Sequence, residues 1–250
     1  MIAVWFSCGA ASAAALKLTI EEYGAENVRA INQPIAEEHK DNRRFCREVA
    51  EWCGVEIELY NASKYPSGSC VDVWNHRKAM SFPKGAPCTR HLKIEARQEW
   101  EAINSPEWHV MGYTVEEKAR HESFVKLERQ NLLPILIDAG MTKSDCGDMV
   151  RSAGIDLPAI YGLGYPNANC IGCVKATSPT YWNLVRETFP DVFQQRAEQS
   201  RRLGVRLARV KGQRIFLDEL DPSAKGRPLW TMPPCGLFCE EYTATKGEAA

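Results

Sequence analysis

Three of the ten cysteines of this chain stand at spacings that suit a metal site. Two residues separate Cys170 from Cys173, which lets both thiolates face one metal centre. Cys88 precedes a predicted helix rich in Arg and Lys, so the helix terminus and nearby positive charge should stabilise its thiolate. These three thiols therefore predict a metal site.

The identity of the metal stays open at this level. Cysteine ligation alone does not separate an iron–sulfur cluster from a structural zinc ion. A redox disulfide within Cys170-x-x-Cys173 is the weaker alternative, because the βα context of such motifs is missing. Cys70 and Cys146 lie in polar stretches without a partner at a ligand spacing, so the sequence assigns them no role.

A second candidate site is the segment Ser7-Cys8-Gly9-Ala10-Ala11-Ser12, between an apolar predicted strand and an Ala-rich predicted helix. Small residues let backbone N–H groups approach an anion closely, and the helix N-terminus adds positive partial charge. The hydroxyls of Ser7 and Ser12 add donors. The segment is predicted to bind phosphate or pyrophosphate, while a tight turn needed for packing alone is the alternative.

The elements that position these residues alternate between strands and helices over residues 1–140, the predicted nucleotide-binding core. Predicted strands lie at 2–7, 28–32, 55–60, 108–112 and 133–137, and predicted helices at 11–23, 41–53, 90–103 and 115–130. Right-handed crossovers then give a three-layer, doubly wound α/β sandwich with a mostly parallel sheet. Ligands of such folds gather at the carboxyl ends of the strands.

The pattern changes after residue 140. Predicted helices at 142–153, 179–188 and 191–203 form a helical appendage over residues 141–205, and residues 206–250 form a tail with one predicted strand pair at 206–210 and 214–217. Seven Lys or Arg from Arg196 to Arg214 face a single acid, Glu198. They are either a solvated helix face or a patch that contacts a phosphate backbone.

Composition narrows the class of protein. A hydrophobic fraction of 44% with 25% charged residues is typical of a globular chain and excludes a disordered one. The net charge of -1 gives no overall attraction to nucleic acid, so a polyanion site must be a local patch. No apolar run approaches the ~20 residues of a membrane span, and the start lacks a basic leader, so a cytoplasmic protein without membrane contact is expected.

The segment Ser7 to Ser12 resembles the pyrophosphate-binding loop of the adenine nucleotide alpha hydrolases, which include N-type ATP pyrophosphatases and phosphoadenosine phosphosulfate (PAPS) reductases. Ser7, Gly9 and Ser12 match its relaxed Ser-x-Gly-x-x-Ser form. Further similar segments are Glu37-Glu38-His39-Lys40-Asp41-Asn42-Arg43-Arg44-Phe45, Gly85-Ala86-Pro87-Cys88-Thr89-Arg90-His91-Leu92-Lys93, Met111-Gly112-Tyr113 with Glu117-x-x-Arg120, and Asn169-Cys170-Ile171-Gly172-Cys173-Val174-Lys175. Over roughly residues 2–205 the chain is similar to PAPS-reductase-like proteins of bacteria and their phages.

This resemblance implies a HUP-like fold that binds ATP or a related adenine nucleotide. The expected nucleotide contacts are Ser7, Gly9, Ser12 and Asn32. The expected catalytic residues are Arg90, Lys93 and Arg120, which would neutralise phosphate charge. Mg²⁺ is an expected companion of the nucleotide, although Ala11 replaces the Asp of the ATP pyrophosphatase loop.

For the cysteines the resemblance implies a 4Fe-4S cluster. Sulfonucleotide reductases bind theirs through a Cys-Cys pair and a distant Cys-x-x-Cys, and here 81 residues separate Cys88 from Cys170, with Cys88 alone in place of the pair. Either three thiols hold the cluster and leave one iron open, or Cys235 or Cys239 of the tail completes it. The expected ligands are Cys88, Cys170, Cys173 and Cys239.

Three functions follow from these expectations. The first is an enzyme that activates a substrate oxygen by adenylation, releases pyrophosphate and transfers sulfur from a sulfur donor, with nucleic acid among the possible substrates. The second is a PAPS or adenosine phosphosulfate reductase with Cys235 as nucleophile and thioredoxin or glutathione as thiol reductant. The third is a zinc-stabilised nucleic-acid-binding module that uses the basic residues from Arg196 to Arg214.

Overall fold

The chain folds around one parallel sheet with helices on both faces. The computed structural model describes residues 1–82 and 85–229. The strands of the sheet are β1 (Ile2–Phe6), β2 (Val28–Asn32), β3 (Ile57–Leu59), β4 (Trp108–Val110) and β5 (Leu132–Leu133). They lie in the order β3-β2-β1-β4-β5, and all neighbouring strands are parallel. The predicted α/β class is confirmed, and the arrangement is consistent with a Rossmann-like fold.

Helices connect these strands and continue beyond them. They are α1 (Ala10–Tyr23), α2 (Asn42–Cys53), α3 (Cys70–Arg77), α4 (Pro87–Thr89), α5 (Glu95–Asn104), α6 (Lys118–Leu127), α7 (Ile135–Asp138), α8 (Lys143–Ser152), α9 (Ala159–Gly162), α10 (Pro179–Thr188) and α11 (Pro190–Arg202). A π-helical turn, Arg90–Ile94, joins α4 to α5. A small antiparallel hairpin follows, β6 (Ala208–Val210) and β7 (Gln213–Ile215). No helix among the described residues is long and apolar enough to span a membrane.

Side chains of β1 alternate between two apolar layers, as a pleated strand requires. Val4 and Phe6 pack in a cluster with Phe45 of α2 and with residues of α1 and α8. Trp5 points to the opposite layer, where its ring lies 5.5 Å from that of Trp100 on α5. All five residues of β1 are buried, which is typical of the central strand of a parallel sheet.

The helical region packs around a cluster of its own. Trp74 of α3 and Trp182 of α10 are fully buried in it, together with residues of α11 and the hairpin. Cys88, Cys170 and Cys173 pack against the same cluster. By contrast, α8 packs on α1, and its Val150 belongs to the cluster under the sheet.

The last strand differs from its prediction. Residues 133–137 were expected to be extended, but β5 ends at Leu133 and a helical turn begins at Ile135. Pro134 between them has no N–H to donate to a neighbouring strand. The apolar run Leu136-Ile137 therefore continues as helix, with Leu136 fully buried.

Candidate functional site

A pocket of about 530 Å³ opens at the carboxyl ends of β1 and β4, where the order of the strands reverses. Ser7 follows β1 and Gly112 lies just after β4, and both line the pocket. Loops diverge from neighbouring strands at such a switch point, which is why open parallel sheets bind ligands there. The pocket therefore lies where the sequence expects a ligand.

Ser12 organises the residues from Ser7 to Ser12, here called the phosphate loop. Its Oγ accepts hydrogen bonds from the N–H groups of Ser7 (3.1 Å) and Gly9 (3.3 Å) and donates one to the Gly9 carbonyl (2.9 Å). The three predicted contacts Ser7, Gly9 and Ser12 thus come together, and all line the pocket. No acidic side chain lies in the first turn of α1, so its positive N-terminal end is available to an anion.

Cys8 is the residue of this loop whose backbone has a positive φ. Its φ of 55° lies in the left-handed region that favours glycine, the residue found here in the loops that this one resembles. Asn32 donates from Nδ2 to the Phe6 carbonyl (2.8 Å) and to Cys8 Sγ (3.5 Å). Asn32 is 3% exposed and is not among the residues that line the pocket, so its amide supports the loop from below.

The hydroxyl of Tyr161 stands over the phosphate loop. It accepts a hydrogen bond from the Ala10 N–H (3.3 Å), and a Cβ added at Gly9 would lie 3.2 Å from it. Burial raises the pKa of this phenol, so the hydroxyl stays protonated at neutral pH. Tyr161 comes from α9, and no sequence feature near the loop signals it.

Gly112 allows the loop after β4 to touch the phosphate loop. A Cβ on this residue would lie 2.8 Å from Ser12 N and 2.9 Å from the carbonyl carbon of Ala11. Both are backbone atoms, so neither can turn aside as a flexible side chain would. The Met111-Gly112-Tyr113 motif therefore contains a position that only glycine fits.

Two of the three predicted catalytic cations line the pocket. Lys93 donates from Nζ to the Gln33 carbonyl (2.8 Å) and lies 3.5 Å from Glu38 Oε1. Burial raises the pKa of Glu38, although the Lys93 charge acts in the opposite direction. Arg120 forms an ion pair with Glu117 (2.7 Å).

Arg90 does not line the pocket. Its side chain is 75% exposed and pairs with Glu95 (3.1 Å). Residues three apart share a face of an α-helix, but the π-helical turn at Arg90–Ile94 widens the repeat and separates Arg90 from Lys93. The chain places other cations in the pocket wall, namely Arg97, Lys143 and Arg151. The four-residue spacing from Lys93 could have indicated Arg97, whereas the two cations of α8 belong to no motif.

Cys70, Cys88 and Cys170 meet beside this pocket. The Cys70 thiol forms hydrogen bonds with Cys170 and with Cys88, and these bonds together with burial raise the pKa of Cys70 well above its ordinary value. The contact from Cys70 lowers the pKa of Cys88, and Lys175 acts in the same direction. Cys70 is the residue that the sequence analysis missed, because it stands alone in the chain and only the fold brings it to the others.

Glu37 ties Cys70 to the Cys170 loop. Its carboxylate accepts hydrogen bonds from the Cys70 N–H (2.8 Å) and the Ser69 hydroxyl (2.9 Å), and its backbone carbonyl accepts one from the Ile171 N–H (2.9 Å). A carboxylate at the N-terminus of α3 is favourable because it meets the positive end of the helix. Glu37 belongs to a similar segment found in the sequence, and this is its structural role.

Tyr181 fixes the turn between Cys170 and Cys173. Its buried hydroxyl accepts a hydrogen bond from the Cys173 N–H (2.7 Å) and donates one to the Cys170 carbonyl (3.4 Å). Gly172 has a φ of 69°, which the tight turn requires. The four cysteines at positions 70, 88, 170 and 173 are here called the thiol site.

A buried cation lies against the thiol site. Arg196 is 3% exposed, its guanidinium lies 4.8 Å from the centre of the Trp74 ring, and a Cβ on Gly172 would touch its side chain. Its Nε has no hydrogen-bond partner among the described residues. A buried guanidinium is costly unless negative charge balances it, and thiolates would supply that charge. Arg196 is therefore not part of a surface patch, and that part of the prediction is wrong.

Cys239 and the alternative Cys235 lie outside the described residues. Within the described ranges, no group of three or more His, Cys, Asp or Glu side chains is arranged to hold a metal ion. The fold nevertheless brings thiols from three segments together: Cys70 and Cys88 are near Cys170, and Cys173 shares the turn of Cys170.

Two neighbours in sequence connect the pocket with the thiol site. Thr89 follows Cys88 and Asn169 precedes Cys170, and both Thr89 and Asn169 line the pocket. The Asn169 Nδ2 group is buried without a hydrogen-bond partner in the described part of the chain. Such a group is free to donate to a ligand in the pocket.

No family model matches the chain, and no curated protein matches it significantly.

Proposed function

We propose that this protein is a PAPS-reductase-like enzyme of the HUP-like adenine nucleotide alpha hydrolase group that transfers sulfur to a substrate activated by ATP or a related nucleotide. The proposal includes a 4Fe-4S cluster held by Cys70, Cys88, Cys170 and Cys173. The observation that carries it is the junction of two sites: a loop suited to phosphate and a convergence of four cysteines adjoin one pocket, through Thr89 and Asn169.

The nucleotide side of the proposal rests on donors and charge. The phosphate loop offers backbone amides at the N-terminus of α1, and Lys93, Arg97 and Arg120 stand around the same pocket. Adenylation releases pyrophosphate, so negative charge develops on the phosphate oxygens as the bond to the leaving group breaks. Fixed amides and cations stabilise such charge without reorganising, which is the main contribution that a protein makes to phosphoryl chemistry.

The sulfur side rests on the thiol site and its surroundings. Cys70 supplies the fourth thiol that the sequence analysis sought in the tail. Arg196, buried between Trp74 and Gly172, would add to the positive charge that Lys175 provides near Cys88. Tyr181 fixes the backbone between Cys170 and Cys173. Cys70, Cys88, Cys170 and Cys173 would hold the cluster and ligate each of its irons. Sulfide from the sulfur donor would form the carbon–sulfur bond, and AMP would leave with the electrons of the carbon–oxygen bond. Asn169 would orient the substrate between the two sites through its unpartnered amide.

Anaerobic purification followed by iron, sulfide and zinc analysis tests this proposal. We expect about four irons and matching sulfide per chain, as cysteine-held clusters contain. Cys70→Ser should remove most of the iron, because it deletes the thiol that contacts two others. The matched control is Cys53→Ser, since Cys53 is also buried but packs under the sheet.

Other outcomes identify the competing functions. Stoichiometric zinc without iron in anaerobic protein would contradict the cluster and favour the zinc-stabilised module. Release of sulfite from PAPS that depends on Cys235 would contradict sulfur transfer and favour the reductase. If Cys70→Ser retained its iron and Cys239→Ser lost it, the fourth cluster ligand would be Cys239 and not Cys70.

A further inference from the structure

A second cleft, of about 460 Å³, lies beside the start of α10 and is lined by cations without any acid. Arg209 and Lys211 come from the hairpin β6-β7, and Lys225 and Arg227 come from the segment that follows the hairpin. All four are exposed, and none forms an ion pair with a residue of the described ranges. No acidic residue of the described chain therefore compensates their positive charge.

Of the neighbouring basic residues, Arg201 has its charge compensated by acids. Arg201 of α11 pairs with Asp218 (2.8 Å) and Glu219 (2.7 Å), so its charge is neutralised locally. Arg202 donates a hydrogen bond to Asn75 (3.0 Å). In a chain with a net charge of -1, uncompensated cations at one cleft produce a local positive potential that attracts a polyanion.

The backbone around this cleft is held in place by hydrogen bonds. The Arg209 N–H donates to the Thr177 carbonyl (2.8 Å), and the Ser178 hydroxyl donates to the Arg227 carbonyl (2.7 Å). Lys211 forms the tip of the hairpin, where its φ of 47° places it in a two-residue turn. The backbone that carries the cations is thus fixed, and the Arg227 guanidinium is also held by a hydrogen bond to the Thr177 hydroxyl (3.4 Å).

The chemistry of the lining selects the type of polyanion. None of the exposed large apolar side chains of the described chain lines the cleft, so it offers no anchor for a peptide or for a lipid surface. None of its cations is buried, so it lacks the enclosed donors of a small-metabolite site. Exposed cations with hydroxyl groups between them are what contacts to a nucleic acid backbone require.

We propose that this cleft binds the sugar-phosphate backbone of a nucleic acid. Its lining residue Thr177 follows Cys173 by four residues, and Tyr181 of the adjoining helix holds the Cys173 N–H. A nucleic acid in the cleft would therefore lie near the thiol site. This proposal rests on the proposed function and specifies its substrate class. The substrate is a nucleic acid, and one of its nucleobases receives the sulfur.

Fluorescence anisotropy tests the proposal. It measures binding of a labelled hairpin RNA and of a duplex DNA of the same sequence over a series of salt concentrations. The double variant Lys211→Gln and Arg227→Gln should lower affinity by roughly tenfold and reduce the slope of log K against log salt by about 2, since each phosphate contact contributes about 0.9. Arg201→Gln with Arg202→Gln removes the same charge outside the cleft and should change neither quantity. The two probes show whether RNA or DNA is preferred.

Three results would contradict nucleic-acid binding at the cleft. They are no binding of either nucleic acid, an equal loss in the Arg201 and Arg202 control, or equal competition by poly-glutamate, which would indicate an acidic protein partner. Iron content and ATP affinity of the same samples separate this proposal from the previous one. Intact iron and ATP binding without nucleic-acid binding refutes the cleft alone, whereas nucleic-acid binding without iron or ATP binding refutes the sulfur-transfer function alone.

Discussion

The phosphate loop and the thiol site adjoin one pocket, but the chain builds them in different ways. The phosphate loop is six consecutive residues that present backbone amides, and Ser12 from within the loop holds it together. The thiol site takes its side chains from α3, from α4 and from the loop before α10, so packing of the whole helical region is needed to form it.

The two regions also differ in how well their polar groups are satisfied without a ligand. Amides of the phosphate loop bond to Ser12 and Tyr161. Beside the thiol site, Arg196 and Asn169 each keep a buried polar atom without a partner in the described chain. A ligand that binds only the folded state adds its binding free energy to stability. The helical region should therefore gain stability from a ligand that supplies partners for these atoms.

The largest expected effect comes from Gly112→Ala. Its Cβ would meet Ser12 N at 2.8 Å, so the phosphate loop has to shift. Overpacking of this kind destabilises a protein by about 1–3 kcal/mol. We expect affinity for ATP or pyrophosphate, measured by calorimetry, to fall roughly tenfold or more, since a shift of the amides weakens several hydrogen bonds of about 1 kcal/mol each. Iron content should not change.

The matched control is Gly162→Ala. Gly162 has no atom within 4 Å of an added Cβ, and its φ is not in the left-handed region. Its stability should stay within about 0.5 kcal/mol of the wild type. A parallel loss of iron and nucleotide in Gly112→Ala would show that the two regions form one unit and would remove the contrast between them.

Arg196→Met tests the thiol site. The substitution should stabilise the metal-free protein but weaken metal retention in the metal-loaded protein. Methionine keeps much of the apolar contact with Trp74 but removes a buried charge that no described carboxylate balances. Metal-free protein should therefore unfold at higher urea, with a gain of about 1–2 kcal/mol. Metal-loaded protein should lose iron to a chelator faster than the wild type, because the thiolates lose their countercharge.

Arg202→Met serves as control, since Arg202 is exposed on the same helix. It should change neither urea unfolding nor iron retention. Destabilisation of the metal-free Arg196→Met protein would instead indicate that the contact between Arg196 and the Trp74 ring outweighs the cost of burial.

The contrast also explains which features the sequence could predict. Ser7, Gly9 and Ser12 lie within one six-residue segment that follows a recognisable apolar strand, so the local pattern alone could predict that they meet at the pocket. Cys170 and Cys173 share a turn and were found by spacing. Cys70 could not be found in this way, because its contact with Cys170 depends on how α3 packs against the helical region.

The same reasoning applies to the elements and the cations. The strands β1 and β2 and the helix α10 were predicted almost to the residue, since each is a continuous apolar or amphipathic run with clear ends. Arg90 lies outside the pocket because a local π-helical turn changes which residues share a face, and composition does not reveal such a turn. Arg196 could not be distinguished in the sequence from the six other basic residues of its segment, because only tertiary packing buries it.

The smallest effect is expected from Tyr161→Phe, which changes a single hydrogen bond over the phosphate loop. The Tyr161 hydroxyl accepts from the Ala10 N–H, the group that a phosphate oxygen would otherwise use. Removing the hydroxyl frees that amide, and one hydrogen bond contributes about 0.5–1.5 kcal/mol. Pyrophosphate affinity measured by calorimetry should therefore rise by about 2-fold to 10-fold.

Tyr165→Phe is the control for this prediction and should leave affinity unchanged. Tyr165 also lines the pocket, but its hydroxyl bonds to Thr188 (2.8 Å). A fall in affinity in Tyr161→Phe would mean that the hydroxyl donates to the bound anion, and the phosphate loop would then, like the thiol site, depend on a side chain from a distant segment.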